Sequence, residues 1–333
     1  MLLLRLVNRC KRTRLGIDSS VSIRRRLGRY ESTERTFSFE TQMTKMYIFA
    51  KIFLLSVLMV PLLQAQEIRI AASDLLADFI REPLEEYGSE RSLNFSIDGI
   101  GSLPALDKLR ANEIDLAVIS VPEGDEIPRE EFTIYPFAYD VAVIAVNKNN
   151  PISEISLSQL GGIFGNEEEF NFNTWGDLGL SGWGSRNIKP LAGTAENSIA
   201  LELFKYSVFK RGSMKSGVAM VNASEIEGLL NSDAASIGIL SAMPTDQNLK
   251  VLMVAPDRNA PAFGPTSDNI HFGDYPIRLA FYIAYKQRDR ERMKPVIRFL
   301  LSDVVAQELN KNHLVALPET VRRKLLIDLD LVE

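Results

Sequence analysis

Two apolar runs of strand length constrain this chain most: Asp140-Val-Ala-Val-Ile-Ala-Val-Asn147 and Ile277-Arg-Leu-Ala-Phe-Tyr-Ile-Ala-Tyr285. Both are rich in β-branched or aromatic residues, and both end in turn or charged residues, Asn147 to Pro151 and Lys286 to Asp289. A strand–helix–strand–helix–strand pattern precedes the first run, a second pattern of that kind lies between the runs, and a helical segment follows. A chain that leaves one lobe on one strand and returns on another builds two lobes with a cleft between them. That geometry suits closure around a small ligand. The expected class is therefore α/β, with a mixed sheet flanked by helices in each lobe. Residues 66–139 and 286–333 are expected in lobe 1, and 140–285 in lobe 2, with crossing strands at 140–147 and 277–285.

The length of 333 residues suits two lobes of ordinary size, and 46% apolar with 24% charged residues describes a globular chain. The N-terminus stands apart. Lys45 and Lys51 flank Met46-Tyr-Ile-Phe-Ala, an apolar run continues from Ile52 to Leu63, and Gln64-Ala65-Gln66 offers a small residue for cleavage. Residues 43–65 thus read as a secretory signal cleaved near Ala65, because a membrane span needs about 20 apolar residues. Residues 1–42 are Arg-rich and hold the only cysteine, Cys10. They read as a mis-assigned upstream start or a disordered basic leader. Without residues 1–65, 26 basic and 39 acidic residues remain, a formal net charge of −13. That balance argues against nucleic-acid binding, which wants a basic footprint. Without a cysteine the remainder has no disulfide framework and no thiol nucleophile. A secreted or periplasmic protein is expected.

Three serines fall where parallel strands should end. Glu67 to Ala71 reads as a strand, with Ser73 capping a helix from Leu75 to Tyr87 that Pro83 should kink or split. Leu93 to Ile97 alternates as a strand, and Asp98-Gly-Ile-Gly-Ser102 turns into a helix from Leu103 to Asn112. Asp115 to Ser120 reads as a buried strand. Ligands of open α/β sheets bind beyond such strand ends, and helix N-termini there present free N–H groups and partial positive charge. Further along, Ser156 should cap a helix to Phe164. Asn187 to Leu191 should be a strand running into Ala192-Gly-Thr-Ala-Glu-Asn-Ser198, with Ser198 capping the next helix. Leu249 to Val254 reads as one strand.

Several segments together resemble the periplasmic phosphate-binding proteins of ABC importers, which have the two-lobed type II periplasmic-binding-protein fold. They are Asn147-Lys-Asn-Asn-Pro-Ile152 with Leu157-Ser-Gln-Leu-Gly-Gly-Ile-Phe164, Thr174-Trp-Gly-Asp-Leu178, Ser236-Ile-Gly-Ile-Leu240, Gly273-Asp-Tyr-Pro-Ile277, and Phe299 to Ser302 with Gln307-Glu308 and Val315 to Pro318. Their order and spacing match the family over roughly Ile68 to Leu317. The resemblance implies an oxyanion held by loop hydroxyls and helix-start N–H groups, plus an Arg and an acidic acceptor. It maps the first loop onto Ser73, Asp74 and Leu75, the second onto Ser102, the third onto Ser120 and the fourth onto Thr194 and Ser198. It also implies a membrane permease as partner, a monomer and no cofactor. The chain departs from the family pattern in the fourth loop, where a Gly-Ser-Gly-Thr run with a basic residue nearby is replaced by Ala192 to Ser198. Val121-Pro122 likewise follows Ser120 where the family often has a polar residue.

Two further function classes compete. A sensor or scaffold could keep the fold with a vestigial cleft and bind another protein. A secreted hydrolase is disfavoured, because the two histidines, His271 and His313, sit in no nucleophile elbow and no paired metal-ligand spacing.

Overall fold

The computed structural model describes residues 66–195, 198–210 and 212–331. The expected leader and signal lie outside them. Alternating apolar residues and helical periodicity build β1 (Gln66–Ala72), α1 (Asp74–Ser89), β2 (Leu93–Gly99), α2 (Ser102–Arg110), β3 (Leu116–Val121) and β4 (Thr133–Val141). The chain then forms β5 (Val143–Asn147), β6 (Glu154–Ser156), α3 (Leu157–Phe164), β7 (Lys189–Thr194), α4 (Ala200–Val208), β8 (Ala219–Asn222), α5 (Ala223–Ser232) and β9 (Ser236–Leu240). Next come β10 (Leu249–Val251), β11 (Met253–Ala255), α6 (Ser267–Phe272), β12 (Arg278–Tyr285), α7 (Arg290–Leu300), α8 (Asp303–Lys311), β13 (Val315–Ala316) and α9 (Glu319–Leu331).

Two mixed sheets form the lobes. The first runs β13-β4-β12-β3-β1-β2, the second β10-β5-β9-β7-β8, and β11 pairs with β6 as a small separate ribbon. Strands β1, β2 and β3 are parallel in the first lobe, as β7, β8 and β9 are in the second. Strand β12 runs antiparallel between β3 and β4. Both lobes thus place three parallel strand ends on one edge of a sheet. Among the described residues no helix is long and apolar enough to cross a membrane.

The crossing is shorter than the sequence suggests. The run 140–147 divides at Ala142 into β4 of the first sheet and β5 of the second. The Ala142 N–H donates to the Ile277 carbonyl at 3.2 Å, and the buried Tyr275 hydroxyl donates to the Ala142 carbonyl at 2.7 Å. The run 277–285, expected in lobe 2, lies from Arg278 onward wholly in the first sheet. Its residues Ala280, Phe281, Ile283, Ala284 and Tyr285 are buried, as a central strand requires. By sheet membership the chain crosses at Ala142 and returns at Ile277.

Other local expectations also shift. Pro83 does not split α1, which continues for 16 residues while Leu76, Ala77, Ile80 and Leu84 bury one face. The Leu249–Val254 run breaks at Leu252, whose N–H donates to Ile144 as β10 and β11 part into different sheets. Ser156 caps α3 as expected, with Gln159 completing a reciprocal box.

Two buried carboxylates carry opposite electrostatics. Asp115, at the entrance of β3, accepts from the Arg69 N–H at 2.9 Å, the Arg69 guanidinium at 3.1 Å and Arg292 at 2.6 Å. Burial alone would raise its pKa, but these charge-assisted bonds outweigh it and bring the carboxyl to about 2, from 3.8. The bonds join β1, β3 and α7. Asp140, next to last in β4, is buried, and among the described residues only the Val141 N–H donates to its carboxyl, at 2.8 Å. Burial there pushes the pKa up to about 7.

Asp115→Asn should lower unfolding stability by about 2–3 kcal/mol near neutral pH in a denaturant titration. Because the folded pKa is depressed, the native carboxylate contributes above its unfolded pKa, and this contribution fades as pH falls from about 4 to about 2. The gap between the two proteins should shrink over that window. Asp140 has the reverse sign: its contribution is complete below 3.8 and is lost as pH rises through about 7. Asp140→Asn should therefore match the wild type near pH 4 and exceed its stability above about pH 7, as thermal unfolding across pH would read.

Candidate anion site at the strand ends

Parallel register brings the first-lobe strand ends together. Ala72 of β1 lies opposite Gly99 of β2 and Val118 of β3. Beyond that line the Ser73 N–H donates to the Val118 carbonyl at 2.9 Å, and the Ile100 N–H to the Ala72 carbonyl at 3.1 Å. Ser73 is buried at the N-cap of α1, and its hydroxyl caps no backbone N–H and has no partner among the described residues. The expected capping bond is therefore absent. The backbone, extended with φ −58° and ψ 146°, still opens the helix there. A buried hydroxyl without a partner is costly unless something else completes its bonding.

Gly101, at φ +82°, turns the chain into α2, a conformation that glycine adopts without strain. Ser102 opens α2, and its hydroxyl accepts from the Ser120 N–H at 2.8 Å while lying 2.9 Å from the Ser120 hydroxyl. Either hydroxyl of this pair can donate to the other, which leaves one O–H free to point outward. Pro104 falls in the first turn of α2, where its missing N–H removes a donor that would have had no helical acceptor. Asp74 is exposed and Leu75 half-buried at the start of α1, where backbone N–H groups lack intrahelical acceptors. Asp74 also lies against Gly99, close to the space a Cβ there would take. The structure thus gathers Ser73, Asp74, Leu75, Ser102 and Ser120 at one edge.

The second lobe treats its candidates differently. Thr194 is the last residue of β7, exposed, and its hydroxyl donates to the Val221 carbonyl at 3.1 Å. The N-cap of α4 is Ile199 rather than the expected Ser198, whose hydroxyl accepts from the Ala200 N–H at 3.2 Å. The Thr194 hydroxyl is thus held by the neighbouring strand β8 and that of Ser198 by a local turn, while Glu196 and Asn197 lie outside the described residues. Close packing shapes this edge, since a Cβ on Gly193 would come within 3.1 Å of the Ile239 carbonyl.

A groove of about 770 Å³ runs along the second-lobe strand ends. Gly193, Ser224 and Ser241 line one side, and Asn310, Lys311 and His313 of the first lobe the other. Sequence reasoning missed these residues, although Ser241 follows β9 much as Ser120 closes β3. His271 shares a hydrogen bond with the Tyr139 hydroxyl at 2.9 Å, and burial, then Arg278, lowers its pKa. Burial raises the Tyr139 hydroxyl to about 12. Among the described residues no cluster of three or more His, Cys, Asp or Glu side chains could hold a metal ion.

Comparison with known proteins places this architecture. A phosphate-binding protein, PstS, of Pseudomonas aeruginosa is 25% identical over 285 residues, 78% of this chain and 85% of its own length. Among solved structures, a possible phosphate-binding protein from Planctomyces limnophilus superposes with TM-score 0.61 at 17% identity, covering 80% of this chain and 98% of its own. An ABC-type phosphate transport receptor from Vibrio cholerae gives 0.54 at 22%, over 74% and 99%. These relatives are described as binding proteins and receptors, not enzymes. Residues 62–304 match the model of the PBP superfamily domain, and with both lobes in place the chain belongs to the PBP superfamily.

Proposed function

We propose that this protein is a solute-binding receptor that captures a small tetrahedral oxyanion, phosphate or a near relative, between its lobes. It would do so in the periplasm and present the anion to an ABC-type membrane permease. The observation that carries this reading is the buried Ser73 hydroxyl, without a partner among the described residues, at the start of a 16-residue helix beside the Ser102–Ser120 pair. An oxyanion there would receive O–H donors from the serines and N–H donors from the first turns of α1 and α2. Hydrogen bonds to a charged group contribute about 1.5–3 kcal/mol each. The relatives named as phosphate-binding proteins support the same ligand class. The net charge of −13 over residues 66–333 does not oppose it, because the charges of the wider surface are screened beyond about 8–10 Å at physiological salt. Ligand would close the lobes only as far as it binds the closed state more tightly.

A second reading, a sensor or scaffold that binds a protein partner, draws on the second lobe. There the Thr194 hydroxyl donates to the Val221 carbonyl of β8, the Ser198 hydroxyl accepts from the Ala200 N–H, and the fourth loop lacks the family's run.

Thermal unfolding of the protein with phosphate, sulfate, arsenate or molybdate, against a chloride control, separates the two. Ligand at 100 times its dissociation constant adds about 2.7 kcal/mol, a rise of several degrees for a chain of this size. One oxyanion should give that rise, and Ser73→Ala or Ser102→Ala should weaken its binding about tenfold or more. No response to any of the anions would overturn the oxyanion reading in favour of the second.

A further inference from the structure

The gathered serines supply neutral donors only. No residue of the fourth loop, Ala192 to Ser198, is basic, and Lys189 at the far end of β7 is paired with Asp233. A dianion would be left without a positive partner from the expected set. The second crossing strand offers one.

Arg278 opens β12 immediately after Ile277, the residue that accepts the Ala142 N–H at the crossing. Phe281 lies opposite Ser120, and Ala280 opposite Val121, the last residue of β3. Arg278 is two residues, or about 7 Å of strand, past that point. It therefore lies beyond the same edge as the Ser102–Ser120 pair. Its side chain is only 15% exposed and points across to residues of both lobes. One terminal nitrogen donates to the Ile270 carbonyl of α6 at 2.8 Å, the other pairs with Glu123 at 3.0 Å, and Nε is buried with no partner among the described residues. Glu123 itself is 66% exposed.

Anchoring the C-terminus of α6 explains the bond to Ile270, but it leaves the rest of the guanidinium unexplained. A buried N–H without an acceptor is destabilising, and an exposed carboxylate holds the opposite nitrogen in a pairing that solvent screens. A guanidinium presents donors in a planar fork that fits a tetrahedral oxyanion through two parallel bonds.

We propose that Arg278 is the cationic ligand of the oxyanion, exchanging Glu123 for the anion when the lobes close. The proposal rests on the oxyanion reading above and names the charged residue of that same site.

Calorimetric titration of inorganic phosphate and sulfate into wild type, Arg278→Gln, Arg278→Lys, Glu123→Gln and Ser73→Ala tests it, with circular dichroism confirming that each is folded. Arg278→Gln should raise the dissociation constant of the bound anion about tenfold or more. Arg278→Lys, which keeps the charge and loses the fork, should fall between that variant and wild type. Glu123→Gln should tighten binding about two- to fivefold by releasing the guanidinium, and Glu126→Gln, an exposed neighbour, should leave it unchanged. If Arg278 only anchors α6, Arg278→Gln lowers the melting temperature while the dissociation constant stays put, Glu123→Gln changes nothing, and the proposal falls. Binding that Ser73→Ala weakens and Arg278→Gln does not would overturn this inference and leave the oxyanion site standing. A wild type that binds neither anion would overturn both.

Discussion

A single residue carries the junction between the lobes. Ala142 belongs to neither sheet, and its two backbone groups are held by the returning chain, the N–H by Ile277 and the carbonyl by Tyr275. Both partners are fully buried. The outgoing and returning strands are thereby tied to each other at the level where they change lobes. Everything that faces the cleft is set relative to this knot: the three serines beyond β1, β2 and β3, the groove beyond β7 and β9, and Arg278 one residue past Ile277. Asp140, two residues before it, adds a buried carboxyl whose charge the surroundings disfavour.

The two lobes repeat one topology but spend their polar groups differently. In the first, register aligns the three strand ends so closely that Ser102 bonds both the backbone and the side chain of Ser120, while Ser73 is buried with its hydroxyl unengaged. In the second, the Thr194 hydroxyl donates across to Val221 of β8 and that of Ser198 accepts within a local turn. The hydroxyls left available are therefore concentrated on the first lobe. The wider groove beyond β7 and β9 gives the cleft its room.

Much of this was legible in the sequence because it rests on local signals. The serines stand where apolar strands give way to helices, and Ser156 with Gln159 announces a helix start three residues apart. What escaped depends on partners distant in the chain. Val141-Ala142-Val143 is a seamless apolar run, and only the choice of neighbours, β12 on one side and β9 on the other, divides it. The run from Leu249 parts at Leu252 for the same reason. Sequence placed 277–285 in the second lobe because it is contiguous with that lobe. The burial of successive residues on both faces instead seats it between β3 and β4. Arg278 stands inside an apolar run with no local signal to mark it, and only register carries it past the end of β3.

The seat of β12 also orders events in time. The first sheet has a gap at its centre until residues 278–285 exist, because β3 and β4 do not pair with each other and meet only through that strand. During synthesis the second lobe has all five of its strands by Val251, before that keystone is made. The earlier body of the protein is thus the later one to close, and its completion waits on a contact more than 130 residues apart in the chain. Long-range pairing of this kind slows folding and leaves strand edges exposed meanwhile.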